Sequence, residues 1–428
     1  MARLLPYKVR PKLRAWAKYA LQVQHEKQYT EIALAALIAR RVVRRPRTKL
    51  ILLVLAAVCV ERVQQIDRAC RGVPHPIEVR IINFLTADES TFPLHCRFRL
   101  PNMRRLARAL RIPEWFKLSN ESYVQGEHAL IVFLRLFSTY HRLIDMEIEM
   151  GFELTKLCRI RTAVLDHLYD LHHHRVTDYF DFFTGRLDMY KRAIQRRKLR
   201  KSPDGTYPSR TADVCCYLDG HRYRICQPSS TPANIVPAVG GGEPIPFELE
   251  RDLYNGHKCM HNLLFIICTG PDGLIMFIGG PYLGKGNDLN ALADSDIIAK
   301  FRQAIGDANM DVDDFSMLGD KIFPDVPGLH AMYSEPMNDQ ARLDNIQDAD
   351  GRASVEHANG RMLTQWNSMA FSTHQQVQKS DLAKRFIVAS VLTNAYSLLE
   401  GNQTLAQFTD PNNANELVMP TLDHYFDV

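Results

Sequence analysis

Three acidic residues are spaced so that they could act together: Asp219, Asp320 and Glu356. Asp219 closes the apolar run 212–218 and precedes Gly220. Asp320 closes the shorter run 315–318 within Gly319-Asp320-Lys321, and Glu356 lies in a stretch of helical spacing that begins at Arg352. Asp219 and Asp320 are 101 residues apart, Asp320 and Glu356 36. Carboxylates gathered closely cannot all stay ionised without a cation. Two Mg²⁺ or Mn²⁺ ions, which prefer hard oxygen ligands, would remove the repulsion. Such ions activate a water or a 3′-hydroxyl and stabilise the leaving oxygen of an in-line phosphodiester displacement. The acids would then be ligands rather than proton carriers. The plainer alternative is that Asp before Gly is a turn residue and Glu on a helix is solvated, and spacing alone leaves both open.

Positioning these acids requires particular elements. The runs 212–218, 259–268 and 274–278 have the character of buried strands. The last two are joined by Thr269-Gly270-Pro271-Asp272-Gly273, which reads as a turn. Residues 221–226 continue the first strand or reverse it. A helix is predicted over 288–304, then the strand 315–318, then an irregular Asp/Asn/Pro-rich segment to about residue 351. Helices follow over 352–369 and 381–399. Three antiparallel strands, a helix and a fourth strand make the core of a ribonuclease H-like α/β fold. There the acids ending the first and fourth strands lie side by side, and a later helix supplies a third.

Upstream, helical spacing over 127–138, 144–150 and 153–172, interrupted at Gly151-Phe152, has the rhythm of a helix-turn-helix. Its third helix would present Lys156, Arg159 and Arg161 to base edges and phosphates; an ordinary three-helix bundle fits the same pattern. Charge is unevenly spread. Residues 1–49 carry thirteen Lys/Arg against two Glu, and 186–201 carry eight cations, Arg196, Arg197 and Lys198 among them, against one Asp. Such clusters suit phosphate backbones or nuclear import; a solvated helix face is the alternative.

Composition sets the outer bounds. The 428 residues are 46% hydrophobic and 24% charged, with a net charge of +5, which excludes low-complexity and wholly disordered classes. The longest apolar run, 50–60, is too short to span a bilayer, so no membrane association is expected. The nine cysteines form no CxxC pair, so no zinc ribbon is expected. Gly279 to Lys285 (GGPYLGK) mimics part of a P-loop, but Gly286 stands where Ser or Thr should hold Mg²⁺.

The string YNGHKCMHNLLFIICTGPDGLIMFIGGPYLGKGNDLNALADSDI (254–297) closely resembles the middle of the DDE domain of Harbinger-type transposases and the nucleases domesticated from them. Leu218-Asp219-Gly220, Leu318-Gly319-Asp320-Lys321 and RASVEHANG (352–360) fit the same family in the same order. The resemblance covers roughly residues 100 to 400. It implies a divalent-metal-dependent DNA endonuclease or transposase, with Asp219, Asp320 and Glu356 as the catalytic, metal-binding triad. Asp288 matches another acid of the family, a further metal ligand and the alternative second catalytic position. Asn287 stands where the family usually has His. The resemblance also allows a decayed or domesticated relative that binds DNA or a protein partner without cleavage, a Myb-like DNA-binding partner protein, and a homo-oligomer. The expected organisation is a basic helical region over 1–100, a helix-turn-helix-like region over 101–185, a catalytic domain over 205–400 and a tail over 401–428. The expected location is the nucleus.

Overall fold

Apolar runs long enough to be buried on both faces become the strands of one mixed sheet. The computed structural model describes residues 89, 92–139, 143–201, 209–228, 235–236, 245–246, 249–335, 337–377, 379–410 and 417–428. The basic segment 1–49 and the apolar run 50–60 lie outside them. Residues 80–428 form one compact unit.

Its first part is helical. Short helices α1 (Phe92–Cys96) and α2 (Leu100–Ala109) lead into a two-stranded hairpin, β1 (Trp115–Lys117) with β2 (Tyr123–Gln125). Then come α3 (Gly126–Ser138), α4 (Leu143–Met150) and α5 (Leu154–His172), within one or two residues of the spacing-based ranges. The break between α4 and α5 falls at Gly151, whose φ of 73° is open to glycine at little cost. Helices α6 (His174–Thr177), α7 (Phe180–Thr184) and α8 (Leu187–Lys201) follow.

The sheet begins with β3 (Val214–Arg224), a single eleven-residue strand, so residues 221–224 continue rather than reverse it. A minor pair, β4 (Ile235–Val236) and β5 (Ile245–Pro246), precedes α9 (Leu249–Leu253) and β6 (Tyr254–Asn255). Next are β7 (Met260–Thr269) and β8 (Ile275–Leu283), then α10 (Asp288–Ser295) and α11 (Ile297–Asp307). The single helix expected over 288–304 is thus two, parted at Asp296, which has a positive φ. Strands β9 (Ser316–Gly319) and β10 (Leu329–Ala331) complete the sheet. Helices α12 (Asp339–Gln365), α13 (Leu382–Glu400), α14 (Gln403–Phe408) and α15 (Leu422–Phe426) close the chain.

In space the strands run β10-β9-β3-β7-β8, with β6 also on β7. The pairs β3/β7 and β7/β8 are antiparallel, while β9 runs parallel to β3 and β10 parallel to β9. The three antiparallel strands expected from the apolar runs are present, and the fourth strand joins them in a mixed α/β sheet, parallel to the first.

Two expectations need correction. The segment before residue 352 is not irregular: α12 starts at Asp339, thirteen residues earlier, capped by the Asn338 side chain accepting from the Ala341 N–H. Of the segment expected as a tail, the described residues 401–410 and 417–428 form helices α14 and α15 and pack. Tyr425 and Phe426 are buried, and Arg175 donates to the Phe426 carbonyl at 3.0 Å and pairs with Asp427 at 2.9 Å.

Candidate active site

Successive residues of a strand point to opposite faces, and β3 uses both. Tyr217, Asp219, His221 and Tyr223 face one side. There Tyr217 meets Gly351 of α12, and the His221 and Tyr223 rings lie 5.7 and 5.4 Å from Phe386 of α13. Gly220 and Arg222 face the other side, toward α10. Helix α12 therefore lies across the face that displays Asp219.

The parallel pairing of Tyr217 with Leu318 brings the end of β9 beside Asp219, and Asp320 is the first residue past that end. Its Oδ1 accepts from the Lys321 N–H at 2.7 Å. Helix α12 supplies Glu356, which is well exposed, and Arg352 one turn earlier. Arg352 donates from Nη1 to Asp219 Oδ1 at 3.2 Å and from Nη2 to Glu356 Oε1 at 2.9 Å. One guanidinium thus bridges two of the three acids. The Asp219 carboxyl is pushed up to about 6, chiefly by burial. Arg352 and the Gly220 N–H pull it down, while the Glu356 and Asp320 charges add to the rise. The charges of Asp320 and Glu356 are thus felt, weakly, at Asp219.

Gly351 makes this approach feasible. A Cβ there would stand 2.1 Å from Tyr217 Oη and 2.7 Å from Cζ, so only glycine lets α12 lie this close to β3, one residue before Arg352.

Asp288 is differently employed. Its carboxylate lies where a Gly220 Cβ would be, 2.7 Å from its Cγ, on the face of β3 opposite Asp219. Arg222 donates to it at 2.9 Å and also to the Gly284 and Gly286 carbonyls at 3.1 Å each. Asp288, expected as a further metal ligand, is thus ion-paired and lies against Gly220, on the face of β3 opposite Asp219. Neighbouring Asn287 caps α10 by accepting from the Asn290 N–H at 2.8 Å.

By donor chemistry the trio fits a divalent cation, being three mutually repelling oxygen donors. Among the described residues, however, no three His, Cys, Asp or Glu side chains are gathered closely enough to hold one. Arg352 stands between two of them instead.

The basic candidates divide. On α5, Lys156 lies 5.0 Å from the Phe152 ring centroid, and Arg159 lines a cavity of about 360 Å³ with Ser119, Cys158, Thr162 and Asp166. Arg161 faces elsewhere, where its charge, after burial, helps lower the pKa of Arg385. On α8, Arg196 pairs with Asp410 at 3.8 Å. Arg197 and Lys198, expected to face DNA, are engaged within the protein. Arg197 pairs with Asp350 at 2.7 Å and covers the Phe408 ring. Lys198 is 2% exposed, paired with Asp348 at 2.6 Å and bonded to Thr211 Oγ1 at 2.8 Å. A basic face not anticipated lies on α2: Arg104, Arg105 and Arg108 are exposed, between buried Met103, Leu106 and Ala109. Among the described residues no ion pair engages these three arginines. Their i, i+1, i+4 spacing beside an apolar i, i+3 stripe is the signal that could have revealed them.

Comparison with known families adds one match. Residues 243–394 match the sequence model of the family described as DDE superfamily endonuclease. That stretch holds Asp288, Asp320, Arg352 and Glu356; Asp219 lies before it, and strand pairing brings it in. The match supports a DDE transposase-like nuclease. No curated protein and no solved structure matches the chain significantly.

Proposed function

We propose that the protein is a divalent-metal-dependent DNA endonuclease or transposase of Harbinger type, working in the nucleus through a ribonuclease H-like catalytic domain. What supports this reading is that the β3–β9 pairing sets Asp320 at the end of the strand beside the one bearing Asp219, and that Arg352 of α12 bridges Asp219 to Glu356, within and beside a segment similar to DDE endonucleases. Asp219, Asp320 and Glu356 would hold Mg²⁺ or Mn²⁺. When bound, these ions supply activation of a water or 3′-hydroxyl and stabilisation of the leaving oxygen.

The chain's own residues then have distinct tasks. Tyr217, Gly351 and the β3–β9 pairing fix the acids relative to one another. Arg222 and Asp288 brace the opposite face of β3. Lys156, Arg159 and the α2 arginines contribute phosphate contacts, and α5 contributes any base reading in its helix-turn-helix setting. A Myb-like partner protein and self-association fit this scheme as means of target selection.

The test uses purified full-length protein with Asp219→Asn and Glu356→Gln. Both are expected to lose Mg²⁺- or Mn²⁺-dependent DNA cleavage while binding DNA as the wild type does. Retained cleavage would sink the triad. The Arg352 bridge favours a second reading, a relative that binds DNA or a protein partner without cutting, because those two acids already have a cation. Wild-type protein that binds DNA but neither cleaves it nor binds a divalent ion would establish that alternative.

A further inference from the structure

We propose that Arg352 is a built-in counter-ion of the carboxylate cluster, holding Asp219 and Glu356 in the metal-free protein and competing with the divalent cation for their oxygens. The inference rests on the reading of those acids as metal ligands. Three observations carry it. First, the two terminal nitrogens of one guanidinium are spent on two acids from different elements, at 3.2 and 2.9 Å. Second, the third nitrogen, Nε, is buried without a hydrogen-bond partner. Third, with the guanidinium between them the acids are not gathered to metal-holding distance among the described residues.

The chemistry follows from geometry. Mg²⁺ needs its oxygens at about 2.0–2.1 Å, and a guanidinium bonded to the same oxygens occupies that space and repels the incoming charge. The two cations therefore exclude one another. Because Arg352 and Glu356 are one helical turn apart, the side chain can swing along α12 without moving the helix. Nothing holds Nε back when it does. A guanidinium released beside the scissile site is a ready partner for a phosphate oxygen, whose fork it matches. Arg352 is a positioning residue in the empty site and a candidate substrate contact in the loaded one.

The experiment is a calorimetric titration of the full chain with Mn²⁺ alone, without DNA. It compares wild type, Arg352→Met, Arg352→Lys and Asp219→Asn, with thermal unfolding in EDTA alongside. Arg352→Met is expected to bind Mn²⁺ about tenfold tighter or more, the scale of a unit charge beside a divalent ion even under aqueous screening. Its unfolding temperature in EDTA should fall, and Mn²⁺ should restore it. Arg352→Lys, which keeps the charge, should stay near wild-type affinity. Unchanged or weaker Mn²⁺ binding by Arg352→Met, with wild-type binding intact and abolished in Asp219→Asn, would overturn the counter-ion role alone. Absence of Mn²⁺ binding in wild type and Arg352→Met alike would overturn the metal-site reading beneath it. Should Arg352→Met not fold, Arg352→Gln makes the same comparison with a neutral polar head.

Discussion

Adding one methyl group at Gly351 probes how closely α12 must approach β3. An ideal Cβ at residue 351 would lie 2.1 Å from Tyr217 Oη, 2.7 Å from Cζ and 3.0 Å from Cε1. Tyr217 has no free space to turn into: it is fully buried, with the Phe408 ring centroid 6.1 Å away. Either α12 slides outward or the ring is forced from its well, and overpacking of this kind costs roughly 1–3 kcal/mol. The alanine recovers up to about 1 kcal/mol of helix propensity. Gly351→Ala should therefore lose about 1–2 kcal/mol net, a fall of roughly 2–8 °C in unfolding temperature. Tyr217→Phe removes an Oη that is buried without a partner, so alone it should be close to neutral. In combination it should recover part of the loss, not all, because Cζ remains too near. Thermal unfolding of both single variants and the double variant completes the cycle. A Gly351→Ala protein as stable as wild type, or no coupling to Tyr217→Phe, would refute the claim that this glycine sets the helix-to-strand distance.

Two further perturbations test the surroundings. Lys198→Met should cost about 3–5 kcal/mol, because it leaves Asp348, 1% exposed, as an uncompensated buried charge. A joint Lys198→Met, Asp348→Leu variant should recover most of that by thermal unfolding, and wild-type stability in the single variant would return Lys198 to the surface. His330 of β10 sits 2.9 Å from Asp213 and 3.0 Å from Asp325, and those bonds, the one to Asp213 foremost, raise its pKa. Burial alone would raise the pKa of both acids, but bonds including those to His330 hold each low. The His330 contribution is therefore full below its ordinary value near 6.5 and is lost as pH rises through the raised one. The acids' share is full above about 4 and lost as pH falls through their lowered values. Stability from this clip, about 1 kcal/mol or less since Asp325 is half-exposed, should decline from pH 6 to 8.5 in wild type. His330→Gln should flatten that slope in thermal scans across the range, and an unchanged slope would exclude the clip.

What the sequence made legible follows from where hydrophobicity carries the signal. The strands and the α3–α5 series are marked by apolar runs or apolar stripes, so they stood out, and with them the place of Asp320 just past the end of β9; Asp219, expected at a strand end, lies in the middle of β3, because the half-polar stretch 220–224 continues the strand. The first half of α12 obeys a helical period too. Its buried positions Asp344, Gln347 and Asp348, with Gly351 against Tyr217, are spaced i, i+3, i+4, i+7. That face is polar, so a period sought in apolar residues passes it by. The α2 arginines were hidden differently, their apolar stripe being short and next to the least readable part of the chain.

The polar face of α12 also accounts for part of the cationic cluster 186–201. Lys198 meets Asp348 and Arg197 meets Asp350, so a basic stretch on α8 and an acidic stretch on α12 are two sides of one packed seam. Each taken alone looks like surface, one suited to phosphate and the other to an irregular loop. Lys and Asp are almost never fully buried unless paired, and each stretch supplies the other's partners. The seam fixes α12 from the side opposite solvent, and α12 in turn holds Arg352 and Glu356 over Asp219. A charge cluster that has found its complement inside the fold serves positioning: Arg197 and Lys198 act on α12 through Asp350 and Asp348, whereas the α2 arginines are engaged in no ion pair among the described residues.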